Sequence, residues 1–312
     1  MIAIVCPGQG AQTPGFFTPW LEIEEFRSKI EQLSDASGLD LVKHGTVSDA
    51  ETIRDTSIAQ PLIVSAGIAS ANVLLNGLSA KAAGIAGIAG HSVGEVTAAA
   101  VAGVFSDETA MKFVMTRGNA MATAASLEPT SMAAVLGGVE DDVLAALEKL
   151  NLEPANRNGA GQIVAAGAAS DIALLQTNAP AGSRVIALQV AGAFHTRYMH
   201  PAVATLDQFA KDLESKDPEV KLWTNSTGQL LSSGRLFIDQ MVNQVSNPVR
   251  WDLCMTTLSE NVSGALEVPP AGTLVGLLKR AVPIVETFAL KAVADLALAD
   301  EFALRHNQEV SN

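Results

Sequence analysis

Two cysteines, a single tyrosine and no unbroken apolar run long enough to span a bilayer set the first limits on this 312-residue chain. Cys6 and Cys254 make no disulfide framework and no CxxC pair, which fits a reducing compartment and argues against a cysteine-built metal site. The five histidines show no HxH or HExxH spacing, and the pair in HTRYMH is five apart and so on different helix faces; no metal is expected. No stretch of 18 consecutive apolar residues occurs, so no membrane span is expected. MIAIVCPGQG carries no basic region ahead of its short apolar stretch, so a signal peptide is not expected either, and the expected location is cytoplasmic. Basic blocks are missing too. With 20 Lys and Arg against 33 Asp and Glu, the formal charge of −13 is spread along the chain, a balance that repels nucleic acid and anionic membranes. PGQGAQ (7 to 12) lacks a following G-x-x-G and an acidic residue at the end of a second strand, which weakens a dinucleotide reading, and no GxxxxGK[ST] is present for phosphate transfer.

What is present is apolar residue in quantity, 48% of the chain, ample for one large domain or two modest ones. IAIVCPG opens as a buried strand meeting a glycine turn, followed by helices over 19–36 and 59–76. Residues 82–90 are too short and glycine-rich for a helix and suit a central strand; helices over 93–104 and 107–124 follow, implying a parallel sheet. The rhythm then changes. Strands over 131–138, 152–158, 162–168 and 184–190 alternate with helices over 140–150 and 170–178, the β-α-β-β-α-β order of a ferredoxin-like unit. Beyond it the α/β alternation resumes, with helices 200–215, 235–245, 250–261, 273–281 and 290–305 and strands 220–225, 264–269 and 284–288. The last six residues are expected to fray.

GHSVGE (90 to 95) has the letters of a nucleophile elbow, in which a serine sits on a sharp strand-to-helix turn between residues small enough to fit it. A helix-capping serine is the alternative. A nucleophilic Ser92 needs a base. His91 is adjacent and points away on a tight turn, whereas His195, in VAGAFHTRYM after the last strand of the βαββαβ unit, lies where a cleft is expected. His44 and His306 stand in polar surroundings and read as solvated. Arg117 interrupts an otherwise apolar helical face; buried there, it requires a carboxylate from the protein or from a ligand.

Together these stretches resemble the malonyl-CoA:acyl carrier protein transacylases and the acyltransferase domains of fatty acid and polyketide synthases. The match runs almost end to end, through PGQGAQ, AQP (59 to 61), GHSVGE, Arg117 in RGNAM, NRNGAGQIVAAG (156 to 167), GAFH (192 to 195), TNSTG (224 to 228), NPVRW (247 to 251) and LVGLLKR (274 to 280). The resemblance implies an α/β-hydrolase-like main domain (1–127 and 196–312) with a ferredoxin-like insert (128–195). It implies ping-pong chemistry in which Ser92 takes a malonyl group from malonyl-CoA and passes it to the phosphopantetheine thiol of an acyl carrier protein, without a further cofactor. His195 would be base and then acid, the backbone N–H groups of Gln9 and Val93 an oxyanion hole, and a carbonyl in NPVRW, that of Arg250, the group orienting the base, with Asn225 beside it. Arg117 would grip the malonyl carboxylate, bulky Phe194 would disfavour a branched α-carbon, and Gln60 and Asn158 would lie near the pocket. An acidic carrier calls for a local basic patch, for which Arg157, Arg184 or Arg197 are the candidates. The chain departs from the family at Cys6, where an aromatic residue is common, and at EVPPAG, where Glu-x-Gly-Pro-Gly is common. Sequence separates the acyl donor better than the acceptor, so hydrolysis instead of transfer, or a non-catalytic scaffold retaining the fold, stays open.

Overall fold

IAIVC, apolar at every position, forms a strand buried along its whole length, the pattern of the middle of a parallel sheet covered on both faces. A computed structural model describes residues 1–308. In chain order the elements are β1 (Ile2–Cys6), α1 (Glu24–Ser37), α2 (Leu41–Thr46), α3 (Thr56–Leu74), β2 (Gly87–Gly90), α4 (Gly94–Val101), α5 (Asp107–Ala125), β3 (Thr130–Gly137), α6 (Glu140–Lys149), β4 (Glu153–Gly159) and β5 (Gln162–Ala168). They continue as α7 (Ala169–Thr177), β6 (Ser183–Ala187), α8 (His200–Ala210), β7 (Lys221–Trp223), α9 (Gly234–Gln244), α10 (Trp251–Ser259), β8 (Gly264–Glu267), α11 (Thr273–Ala281), β9 (Glu286–Ala289) and α12 (Leu296–Gln308).

Five strands make a parallel sheet in the order β7-β2-β1-β8-β9, with Ala3 opposite Gly87 on one side of β1 and Ala265 on the other. One face of β1, Ile2, Ile4 and Cys6, packs into the larger core with residues of α1, α3, α5, α8 and α9; Ala3 and Val5 pack with residues of α10 and α11. Among the described residues α3 is the one helix long and apolar enough to cross a membrane, and 78% of that stretch is buried inside the protein, as befits a core helix. The second sheet is antiparallel, in the order β4-β5-β3-β6. Strand alternation divides its side chains: Ala133, Val135, Ile163 and Ala165 pack with Val143 and Leu147 of α6 and Ile172 and Leu175 of α7. Met132, Val164 and Ala166 face the other way and join the larger core. Edge strand β4 is stitched to the chain before α10 by Arg157 N–H donating to the Val249 carbonyl and Val249 N–H donating to that of Ala155, each at 2.9 Å.

Several boundaries differ from the sequence pattern. Residues 19–36 are not one helix, because Ile23 is extended (φ −87°, ψ 119°) and separates a short 3-10 turn, Trp20–Glu22, from α1. The strand expected over 82–90 begins only at Gly87, after a turn in which Gly84 has φ +76°. The helix expected over 200–215 ends at Ala210, and that over 290–305 starts at Leu296 after a 3-10 turn. α12 runs to Gln308, and the rest of the tail expected to fray, 309–312, lies outside the described residues. His306 is buried, not solvated, because α12 lies against β8 and sets its Nδ1 2.8 Å from Ser263 Oγ.

Candidate active site

The turn between β2 and α4 has no room for side chains on either side of the serine. A Cβ at Gly90 would stand 2.1 Å from the Gly94 carbonyl carbon, and one at Gly94 would stand 2.2 Å from the Cys6 carbonyl oxygen. Ser92 itself takes the left-handed conformation, φ 55°, a strain of about 1–3 kcal/mol for a residue with a Cβ. Asn225, just after β7, holds that strain in place: its Oδ1 accepts from Ser92 N–H at 2.7 Å while its Nδ2 donates to the Gly90 carbonyl at 2.6 Å.

His195 reaches the serine from the far side of the chain. Its Nε2 is 2.7 Å from Ser92 Oγ and its Nδ1 is 2.8 Å from the Gln244 carbonyl. A carbonyl only accepts, so Nδ1 carries the proton and Nε2 presents its lone pair to the serine O–H, the tautomer a general base requires. Burial, and after it the nearby Arg117 charge, pushes the imidazole down to about 3. So far below the ordinary histidine value near 6.5, the ring is neutral at physiological pH. Because the neutral ring is the working form, acylation of Ser92 is expected to hold level between about pH 5 and 7; stopped-flow acylation rates check this, and a titration centred near 6.5 would contradict it.

Arg117, midway along α5, is 1% exposed. Its NH1 donates to Gln60 Oε1 at 2.7 Å, and its NH2 donates to Gln244 Oε1 at 2.9 Å and faces Ser92 Oγ at 3.5 Å. No carboxylate among the described residues comes within 4 Å of it, so the internal ion pair left open by the sequence is not there. Burial pulls the guanidinium down to about 10, still charged at neutral pH, and the more distant Glu95 opposes the shift. Amide oxygens alone hold this cation beside the serine hydroxyl.

A cleft of about 240 Å³ opens over Ser92 and His195, lined also by Gln9, Gln60, Met132, Asn158 and Phe194. Phe194 is 6% exposed, and Asn158 Oδ1 accepts from His91 Nε2 at 2.9 Å, tying the nucleophile turn to β4. The amide N–H groups of Gln9 and Val93 have no hydrogen-bond partner among the described residues, and Val93 immediately precedes α4, whose amino end favours negative charge. Burial raises the thiols of Cys6 and Cys254 far above their ordinary range, leaving both unreactive.

Two expected positions need correction. The carbonyl facing His195 belongs to Gln244, not Arg250: α9 ends at Gln244, where carbonyls lack intrahelical donors, whereas the Arg250 carbonyl is taken by Cys254 N–H as α10 begins. The Arg250 side chain is engaged with Asp252, at 2.8 and 3.0 Å. Asn225 fixes the serine turn and makes no bond to the base. Sequence reasoning also passed over Gln244 and Glu95. Glu95 was legible as the last letter of GHSVGE, but Gln244 acts partly through a backbone carbonyl, a group every residue owns.

A strained serine, a neutral histidine bonded to it and an arginine aimed at the same hydroxyl define a serine-dependent acyl-transfer enzyme. The chain belongs to the acyl transferase domain family, whose model matches residues 3–300. A malonyl CoA-acyl carrier protein transacylase from Mycobacterium tuberculosis is 46% identical over 308 residues, covering 97% of this chain and 99% of that protein. The crystal structure of the Mycobacterium tuberculosis MCAT superposes with a TM-score of 0.92 at 45% identity, covering 96% of this chain and 99% of that one. A malonyl-transacylase solved in complex with a type II polyketide synthase acyl-carrier protein superposes with a TM-score of 0.88 at 26% identity, covering 96% and 99%.

Proposed function

We propose that this protein transfers a malonyl group from malonyl-CoA to the phosphopantetheine thiol of an acyl carrier protein through a malonyl-Ser92 intermediate. The observation that carries the reading is Arg117: a buried cation 3.5 Å from Ser92 Oγ, with no carboxylate within 4 Å among the described residues, calls for a substrate carboxylate. Its fork can hold the free malonyl carboxylate through two parallel hydrogen bonds, while an acetyl group leaves the charge unanswered.

In the first half-reaction His195 Nε2 takes the Ser92 proton as Oγ bonds to the thioester carbon. The tetrahedral oxyanion is received by the Gln9 and Val93 N–H groups, a kind of contact worth about 3 kcal/mol per donor. The C–S bond then breaks, and His195 returns the proton to the departing coenzyme A thiolate. The imidazolium formed on the way is favoured by the Gln244 carbonyl at the negative end of α9. The carrier's thiol reverses these steps, giving up its proton to His195 and releasing Ser92. Phe194 crowds the acyl end against branched α-carbons, and Gln60 and Asn158 line the approach. The proposed steps draw on neither a metal nor a further cofactor.

The finer architecture belongs to the same reading. A parallel sheet with an elbow serine at the carboxyl end of β2 supports an α/β-hydrolase-like main domain over 1–127 and 196–312, and the order β4-β5-β3-β6 supports a ferredoxin-like insert over 128–195. Of the arginines considered for carrier docking, Arg157 pairs with Glu140 and Arg197 with Glu153, whereas Arg184 is exposed on β6 with no carboxylate within 4 Å among the described residues, which favours Arg184. Incubating the protein with malonyl-CoA and holo acyl carrier protein is expected to yield malonyl carrier protein by mass spectrometry. Free malonate without carrier product would replace transfer by hydrolysis.

A further inference from the structure

One carboxylate beside the reacting groups has no part in the chemistry above. Glu95, in the first turn of α4, is 1% exposed, and both of its oxygens are in use: Oε1 accepts from Asn225 N–H at 2.6 Å and Oε2 accepts from Gln244 Nε2. Each of these partners holds part of the site. Asn225 fixes the Ser92 turn through Oδ1. Gln244 accepts from Arg117 with Oε1 and from His195 Nδ1 with its backbone carbonyl. Ser92, His195 and Arg117 are therefore bonded to just two residues, Asn225 and Gln244, and both of these bond to Glu95, Asn225 through its backbone N–H and Gln244 through its side-chain amide.

We propose that Glu95 is a positioning residue for acyl transfer, holding the Asn225 and Gln244 amides and, through them, the nucleophile turn, the base and the acyl-selecting arginine. The inference rests on the transfer reading above. A carboxamide's two ends are close in shape, so its direction is set by its neighbours. At Gln244 an accepting Glu95 oxygen on one side, its carboxyl raised to about 8 by burial against the opposing Asn225 N–H and Arg117 charge, and a donor-only guanidinium on the other set it, with the Ser92 carbonyl, 3.2 Å from Nε2, supporting the same direction. Glutamine at position 95 cannot reproduce this. It has one acceptor oxygen where Glu95 uses two, so its NH2 must face either the Asn225 N–H or the Gln244 NH2, donor against donor. The misfit shifts Gln244 and, with it, the carbonyl that aligns His195; displacement on the order of 1 Å at a reacting group costs roughly 100-fold in rate.

E95Q is accordingly expected to lower kcat by about 100-fold while KM for malonyl-CoA stays within about twofold. E95D, which keeps both oxygens, is expected to recover most of that loss. A residue that only stabilises the fold would lower the melting temperature and leave kcat of the folded protein unchanged. Gln244→Met, which removes the side-chain amide but keeps the backbone carbonyl, provides a second arm should E95Q fail to fold; it is expected to match the E95Q loss, and the double variant to be no slower than either single one. Wild-type kcat in E95Q or in Gln244→Met, or losses that multiply in the double variant, would overturn the positioning role. A wild-type protein that takes up no malonyl group would instead overturn the transfer reading.

Discussion

Replacing Ser92 by alanine is expected to leave the protein without any malonyl adduct and to lower transfer by on the order of 10⁵- to 10⁶-fold, the scale on which a serine nucleophile is lost. Two features keep the test clean. Asn225 holds the turn through the Ser92 backbone N–H, not through the hydroxyl, so the elbow survives the substitution. His195 keeps its bond to the Gln244 carbonyl, so the base stays aligned without its partner. Intact mass after treatment with malonyl-CoA gives the answer: the wild type gains one malonyl group and the variant gains none. An adduct persisting on S92A would place the nucleophile elsewhere, and its absence from the wild type would favour a non-catalytic scaffold.

Arg117→Ala is expected to cost malonyl transfer on the order of 10²- to 10³-fold relative to acetyl transfer, since removing one partner of a buried ion pair typically costs about 3–5 kcal/mol. The comparison matters because Arg117 also donates to the Gln60 and Gln244 side chains, and alanine leaves both oxygens unpaired. Any general disturbance of the site depresses both donors equally; only loss of a carboxylate grip separates them. Arg117→Lys should not restore the difference, because a single ammonium lacks the planar fork that meets two carboxylate oxygens. Kinetics of the variants with malonyl-CoA and acetyl-CoA decide the matter, and equal losses would make Arg117 structural.

Which parts of the site were legible follows from the kind of group each residue contributes. Ser92 stood out because Gly90 and Gly94 flank it, and the contacts of those glycines give the reason. Arg117 stood out because a guanidinium on an apolar face is conspicuous. Arg250 was misassigned because its supposed role belonged to a backbone carbonyl, and which carbonyl is available depends on where α9 ends and α10 begins. Sheet order could be read the same way only in part: the apolar run of β1 implied a central strand, while α2 and the break at Ile23 followed no periodicity.

By itself the sequence determined the chemistry on offer: a serine in a turn too tight for neighbours, a distant histidine, a lone buried cation, and the alternation of strands and helices that carries them. These depend on side-chain identity and local pattern, which letters record. Only the tertiary structure decided which tautomer His195 adopts, that amides and no carboxylate answer Arg117, and that Glu95 joins both halves of the site through Asn225 and Gln244. Those outcomes depend on distances between groups about 50 to 150 positions apart in the chain and on which backbone groups a helix end leaves unpaired, and both arise only when the chain is packed.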